Sequence, residues 1–149
     1  MILDERLEML DATALNTGAA GTYLVGDVID TSIVNKDLGL GEDLWAVIRI
    51  TTAVTSGGDA TVQFQLASDA QAAIATDGSA TIHAQTAAIP KATLTAGYTA
   101  LAIRLPAGTY ERYLGILQIT GTAALTAGAA DAYLTKDYAS WSAYPDASN

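Results

Sequence analysis

Apolar and polar residues alternate with a period of two in a series of short runs, and this pattern limits the fold more than any other feature of the chain. In Asp59–Ala67, the apolar residues Val62, Phe64 and Leu66 fall on one face, with threonine and glutamine on the other. Successive side chains of a β-strand point to opposite faces of the sheet, so each run predicts a strand with one buried face. The predicted strands are Ala12–Asn16 (the weakest), Thr22–Asp30, Asp43–Val54, Asp59–Ala67, Ala80–Gln85, Thr99–Leu105, Arg112–Thr120 and Gly128–Lys136.

Short stretches rich in glycine, proline and aspartate separate these runs, as turns between strands do. They are Leu38–Glu42, Ser56–Asp59, Thr76–Ser79, Thr95–Gly97 and Pro106–Gly108. A helical period occurs only at the start of the chain, where Ile2, Leu3, Leu7 and Leu10 recur at intervals of about three to four residues. We therefore predict an all-β fold, an antiparallel jelly-roll sandwich of about eight strands with a short N-terminal helical turn.

The length and composition are those of one domain. The chain has 149 residues and no cysteine, so we predict a single domain over residues 1–149 without disulfides, with residues 137–149 as a C-terminal tail. Acidic residues number 16 and scattered basic residues 7, which argues against binding to nucleic acid or to an anionic membrane, because phosphates are bound by clustered Lys and Arg. No apolar run approaches the roughly 20 residues that span a bilayer, so we expect a soluble protein.

Residues that could carry out catalysis are few. The one histidine, His83, has no serine or cysteine partner nearby in sequence, and we interpret it as a solvated strand residue. One histidine and no cysteine exclude a conventional zinc or copper site within one chain, and we predict no catalytic residues, no metal and no cofactor. A calcium site remains conceivable, although turn capping explains the clustered acids more simply and their spacing does not match an EF-hand. These acids are Asp27, Asp30, Asp37, Glu42 and Asp43.

Two aromatic features could contribute to binding. Trp45 lies on the minor face of its predicted strand, where it could stack on a sugar or lie under a loop as part of the core, and we favour the second interpretation. Tyr138, Trp141 and Tyr144 recur every three residues, so one helical turn would align them on one face. This segment either packs back on its own domain or docks onto a neighbour, since Tyr and Trp are enriched in interface cores.

Several segments follow one another in an order that is typical of a known family. They are LDATAL with GDVID, LGLGEDLWAVIRITTA before a Gly-rich turn, IPKATLTAG, LPAGTYERYLGILQIT and LTAGAADAYLTKDYASWSAYPDA. The most specific pieces are the pattern P-x-G-x-x-E-R-Y-L at Pro106–Leu114 and the pattern T-A-G-A-x-x-A-x-L at Thr126–Leu134. Together these segments cover nearly the whole chain, and they resemble the jelly-roll capsid cement (decoration) proteins of tailed bacteriophages.

The resemblance implies a non-enzymatic virion protein on the outer surface of the capsid. Such a protein clamps neighbouring subunits of the major capsid protein and reinforces the head after it has expanded. The resemblance also implies a small symmetric oligomer, for which we favour a homodimer, with a trimer as the alternative. A carbohydrate-binding β-sandwich module on a phage particle is the competing interpretation.

Three parts of the chain are expected to contact the capsid or a neighbouring subunit: the N-terminal segment, the loop at Leu38–Glu42 and the aromatic tail. In the E-R-Y-L pattern, Glu111 and Arg112 either pair with a capsid subunit or form an internal salt bridge that braces the start of the strand. The candidate interface residues are Leu3, Leu7, Leu40, Glu42, Glu111, Arg112, Tyr138, Trp141 and Tyr144.

Overall fold

The computed structural model describes residues 5–32, 36–38, 43–136 and 138. Within these residues, a 3₁₀ turn at Glu5–Leu7 precedes eleven strands. The strands are β1 (Glu8–Ala14), β2 (Gly21–Asp30), β3 (Lys36–Leu38), β4 (Trp45–Thr55), β5 (Thr61–Asp69), β6 (Thr81–Gln85), β7 (Ile89–Pro90), β8 (Thr99–Arg104), β9 (Gly108–Tyr110), β10 (Tyr113–Gly121) and β11 (Ala127–Thr135). No helix within the described part of the chain has the length and apolar character needed to cross a membrane.

Nine of these strands form two antiparallel sheets that pack as a sandwich. Sheet I has the order β1-β11-β4-β8, and sheet II has the order β2-β10-β5-β6, with the short β7 also paired to β5. The first strand thus pairs with the last, and the second strand pairs with the last but one. This nesting is consistent with a jelly roll. The short strands β3 and β9 pair with each other in a separate ribbon.

The period of two predicted the strands well. Seven of the eight predicted runs coincide with a strand to within two residues at each end. Along β5, the inward residues Val62, Phe64 and Leu66 are fully buried, whereas the glutamines between them are only partly buried. Full burial of one such side chain contributes roughly 1.5–3 kcal/mol, so the alternating strands supply the main core between the two sheets.

The short N-terminal helical turn is present, but it does not include every residue of the helical spacing. Among the described residues it is a single 3₁₀ turn at Glu5–Leu7, and Leu10 lies within β1. The weak candidate strand Ala12–Asn16 overlaps only the end of β1. The pairing of β1 with β11 shifts register on both sides of Leu10, and Ala12 has a positive φ of 42°. These irregularities bury Met9 and Leu10 side by side, so the residues that face the core do not follow a period of two.

A loop covers part of the outer face of sheet II. In this β5–β6 loop (residues 70–80), Ile74 lies directly over Gly115 of β10. A Cβ atom added to Gly115 would lie only 2.8 Å from Cδ1 of Ile74 and 3.0 Å from Cγ1 of Val28. The glycine therefore leaves the space into which the loop packs, and Ala67, Ala80 and Leu117 complete this second apolar cluster.

Candidate functional site

A polar cluster joins β5, β6 and the short link between β9 and β10. Nε2 of His83 lies 2.7 Å from Oγ of Ser68, and Ser68 also accepts a hydrogen bond of 3.1 Å from the backbone N–H of Glu111. The Glu111 carboxylate accepts a hydrogen bond of 2.8 Å from the Thr81 hydroxyl. The cluster therefore ties the edge strand β6 both to its neighbour β5 and to the residues that lead into β10.

The His83 ring is held by Ser68 and by an aromatic neighbour. Oγ of Ser68 accepts the N–H of Glu111 and shares a hydrogen bond with Nε2 of His83. The ring stacks on the buried Tyr110, with centroids 3.7 Å apart and planes 16° from parallel. Burial lowers the pKa of His83 below its usual value, and the nearby charge of Glu111 opposes this shift. The neutral ring is therefore the form that fits the site.

The interpretation of His83 as a solvated strand residue holds only in part: the residue lies in β6, but its ring is half-buried and contacts Ser68 and Tyr110. The pairing of β5 with β6 shifts register so that Leu66 is opposite Ala84 and Ala67 is opposite Ile82, which leaves His83 as an extra residue in a β-bulge. The bulge places the ring against Tyr110. Simple alternation along β6 does not anticipate a bulge, and the Ser68 partner lies 15 residues away in sequence, beyond the reach of a local motif search.

A serine hydrogen-bonded to a histidine can act as a nucleophile with its general base. Ser68 and His83 are instead placed where they hold the strands together. Ser68 has 0% exposure, so its hydroxyl is shielded from solvent and from a substrate. The Glu111 carboxylate is bonded to Thr81, whereas the third member of a catalytic triad would orient the histidine. The cluster is therefore suited to holding β6 in register.

The His83 cluster predicts a dependence of stability on pH. As the pH falls, His83 becomes protonated in the unfolded chain near its ordinary pKa of about 6.5. In the folded chain the lowered pKa delays this protonation to a lower pH. The free energy of unfolding should therefore fall as the pH drops from about 7.5 through 6.5, and it should level off below the folded-state pKa. In His83→Gln, whose side-chain oxygen can still accept from Ser68, this component should disappear. Urea unfolding at a series of pH values tests the prediction, and identical pH profiles for the two proteins would contradict it.

Arg112 forms the internal salt bridge that was one of the two alternatives for the E-R-Y-L pattern. Its Nε and Nη2 atoms donate to the two carboxylate oxygens of Asp30 at 2.9 and 2.8 Å. The guanidinium carbon also lies 5.0 Å from the centre of the Tyr113 ring. The bridge joins the start of β10 to the end of β2. Contact of Glu111 or Arg112 with a capsid subunit stays a prediction.

Removal of the Arg112 side chain should be visible in the titration of Asp30. The Arg112 hydrogen bond, with help from the N–H of Ser32, lowers the pKa of Asp30 to about 2. In Arg112→Met the pKa of Asp30 should rise toward 3.8 while staying below it, because the Ser32 hydrogen bond remains. Carboxyl chemical shifts followed by NMR test this expectation. Arg104→Met, which removes the partner of Asp43, is the matched control and should leave Asp30 unchanged; an Asp30 that still titrates near 2 in Arg112→Met would refute the assignment.

Two further candidate interface residues lie within the described residues. Leu7 ends the 3₁₀ turn, is half-buried and packs against the main core. The ring of Tyr138 stacks on that of Trp45, with centroids 5.2 Å apart, so the first aromatic residue of the tail packs back on its own domain. The same contact covers one face of Trp45, in agreement with the interpretation of Trp45 as part of the domain's own packing. The candidates outside the described residues are Leu3, Leu40, Glu42, Trp141 and Tyr144.

An acidic groove of about 510 Å³ lies between the 3₁₀ turn and the end of β2. Burial, together with the charges of Asp11, Asp131 and Glu5, raises the pKa of Glu8 beside this groove. Of the acids considered for calcium, Asp30 and Asp43 are each paired with an arginine. Within the part of the chain that the structure describes, no three acidic or histidine side chains are grouped so that they could hold a metal ion.

Comparison with known proteins places the chain in a family. The sequence model of the Bbp16 family matches residues 9–134. The chain belongs to the Bbp16 family. The matched stretch begins in β1 and ends in β11, so it spans both sheets of the sandwich and includes both of the specific patterns, Pro106–Leu114 and Thr126–Leu134. No curated protein matches the chain.

Proposed function

We propose that this member of the Bbp16 family is a structural virion protein that binds the outer surface of a tailed-phage capsid. In this role it clamps neighbouring subunits of the major capsid protein and stabilises the head. The observation that carries the proposal is the ordered series of segments that resemble capsid cement proteins. Of its two most specific patterns, Thr126–Leu134 covers most of β11, which lies inside sheet I. The other, Pro106–Leu114, covers β9 and the first two residues of β10, which lies inside sheet II.

The physical properties of the domain suit such a role. A protein that binds only the assembled shell stabilises it by mass action, and the effect grows with the affinity and with the concentration of the free protein. Connections held by internal contacts, such as the β5–β6 loop and the His83 cluster, need little ordering on binding, so less of the interaction energy is lost. The symmetric shell presents the same site many times, and modest contacts at each copy therefore add up.

The proposal includes a homodimer as the bound form, with a trimer as the alternative. A symmetric oligomer presents the same surface patch more than once, so it can contact two or more capsid subunits at the same time. Glu111 and Arg112 remain proposed contact residues, because the Arg112–Asp30 bridge lies at the surface with both side chains about 40% exposed.

The proposal is tested by mixing the purified protein with expanded empty capsids of its phage and sedimenting the mixture through a gradient. We expect co-sedimentation that saturates at a fixed stoichiometry, together with a higher melting temperature of the capsids. Unexpanded procapsids serve as the matched control and should bind less, because the resemblance implies reinforcement after expansion. If the protein remains at the top of the gradient with expanded capsids, the proposal fails. Saturable binding to a glycan by the same preparation would then support the carbohydrate-binding alternative.

A further inference from the structure

The outer face of sheet I carries side chains that are buried outside both apolar clusters. Along β4, Ala46 and Ile48 face the main core, so Val47 between them points to the outer face. Tyr133 of β11 is paired with Val47 and shares that face. Both Val47 and Tyr133 are only 2% exposed, yet neither belongs to the main core or to the second cluster. A further layer therefore covers them, because side chains that stand beside one another on a sheet face leave their tips open to solvent.

The cover lies over one end of this face. Trp45 and Thr135 are paired with each other on the same face, where Thr135 is buried and Trp45 is half-buried. At the opposite end of β4, Ala53 and Thr55 lie on either side of the inward-facing Val54, and both are exposed. The covered end is thus the one at which β4 begins and β11 ends.

The first aromatic residue of the tail lies at this covered end. The Tyr138 ring stacks on the Trp45 ring, with centroids 5.2 Å apart and planes 26° from parallel. Tyr138 is also close enough to Tyr133 to affect its ionisation. Burial raises the pKa of the Tyr133 hydroxyl, and the charge of Tyr138 is among those that raise it further. The chain therefore leaves β11 and returns over the covered end of the face.

The sequence that follows Tyr138 is long enough to form the cover. Residues 139–149 number eleven, and an extended chain of that length reaches roughly 36 Å at about 3.3 Å per residue. The four strands of sheet I, about 4.8 Å apart, span only about 14 Å. Residues 39–42 also adjoin this end, but they are four residues between two fixed points. These are the pairing of β3 with β9 and the hydrogen bond of 2.6 Å from the Leu105 N–H to the Leu44 carbonyl.

We propose that residues 139–149 lie across the outer face of sheet I as a strap that covers Val47 and Tyr133. The inference does not depend on the capsid role, because it assigns this face to a segment of the same chain. Trp141 and Tyr144 supply the large apolar rings that such a contact requires. While the strap is in place, no other protein can occupy the face. Its release would expose an apolar strip, and a strip of that kind favours association with another surface.

NMR of the full-length protein tests the placement of the strap directly. With labelled valine methyl groups and labelled aromatic rings, nuclear Overhauser contacts should join the Val47 methyl groups to ring protons of Trp141 or Tyr144. The methyl groups of Val62, which is fully buried in the main core, are the internal control and should show no such contact. Contacts from Val47 to residues 39–42 in place of residues 139–149 would overturn the proposal.

A chain shortened after Tyr138 tests whether the strap provides the cover. This truncation keeps the Tyr138–Trp45 stack, so its effect belongs to residues 139–149 alone. The pKa of Tyr133, followed by NMR of a ring-labelled sample, should fall toward 10.0. Binding of the dye ANS, measured by its fluorescence, should rise at least about twofold as apolar surface becomes exposed. A full-length control with Trp141→Phe and Tyr144→Phe keeps two apolar rings and should show neither change.

The outcomes of the truncation are read against the state of the main core. Unchanged Val62 methyl shifts show that the core persists, so a change at Tyr133 then reports the loss of the strap. If the core persists while the pKa of Tyr133 and the binding of ANS also stay the same, the strap proposal is overturned. If the shortened chain does not fold, the nuclear Overhauser contacts of the full-length protein decide between the strap and residues 39–42.

Discussion

Replacement of Gly26 by alanine is expected to lower the free energy of unfolding by about 3 kcal/mol. Gly26 lies in β2 with a φ of +70°, a conformation that costs a residue with a side chain roughly 1–2 kcal/mol. An added Cβ would also overlap the backbone oxygen of Met9 and Cδ2 of Leu10, both in β1. The backbone oxygen cannot turn away as a side chain can, so the overlap would separate the two strands at the corner where sheet I meets sheet II.

Gly78→Ala is the matched control for this prediction. Gly78 has a φ of +93°, but no atom lies within 4 Å of the position of its Cβ. Its replacement should therefore cost only the backbone term of roughly 1–2 kcal/mol. Equilibrium unfolding in urea of the two variants and the unmodified protein measures the difference. Equal losses for Gly26→Ala and Gly78→Ala would show that the contact between β1 and β2 does not contribute to stability.

The strands that could be predicted are those in which local pattern and burial agree. In β5 every second residue faces the main core, and the run Asp59–Ala67 therefore predicted the strand to within two residues. The alternation depends only on the geometry of one strand, so a single sequence contains the information. The class of fold, an antiparallel β-sandwich, followed from the number of such runs and the turns between them.

Features that depend on the partner strand could not be predicted in this way. The bulge at His83 and the irregular pairing around Leu10 arise where β6 and β1 meet their neighbours, and the alternation of each strand does not encode them. The short strands β3, β7 and β9 contain too few residues to show a period. The spacing at the start of the chain predicted the helical turn, but it also counted Leu10, which lies in β1.

The site residues were predicted only where the sequence offered a specific pattern. The E-R-Y-L pattern identified Arg112 as a residue with a choice of two partners, and the structure supplies the internal partner, Asp30. The Ser68–His83 pair was missed because its members lie on different strands.

Replacement of Gln118 by leucine is expected to lower the free energy of unfolding by about 3 kcal/mol. Gln118 lies in β10 with 0% exposure, and its side chain accepts the N–H of Asn16 at 2.8 Å and donates to the Asn16 carbonyl at 2.9 Å. It also donates to the Thr120 hydroxyl at 2.7 Å. Leucine would leave these buried or half-buried groups without partners, and each such group costs roughly 1–3 kcal/mol unless water replaces the bond. The connection between β1 and β2 would lose the contact that holds it against β10.

The control for Gln118→Leu is the same substitution at Gln63, which is half-buried in β5 and makes a single hydrogen bond of 2.9 Å to the Thr86 carbonyl. Gln63→Leu should cost about 1 kcal/mol, because one bond is lost at a site that water can reach. Urea unfolding measures both losses, and hydrogen exchange should show that the amide of Asn16 loses protection only in Gln118→Leu. Equal losses in the two variants, with an unchanged Asn16 amide, would mean that apolar packing in β10 compensates for the missing bonds. The buried polar group would then contribute nothing to holding the connection between β1 and β2 against β10.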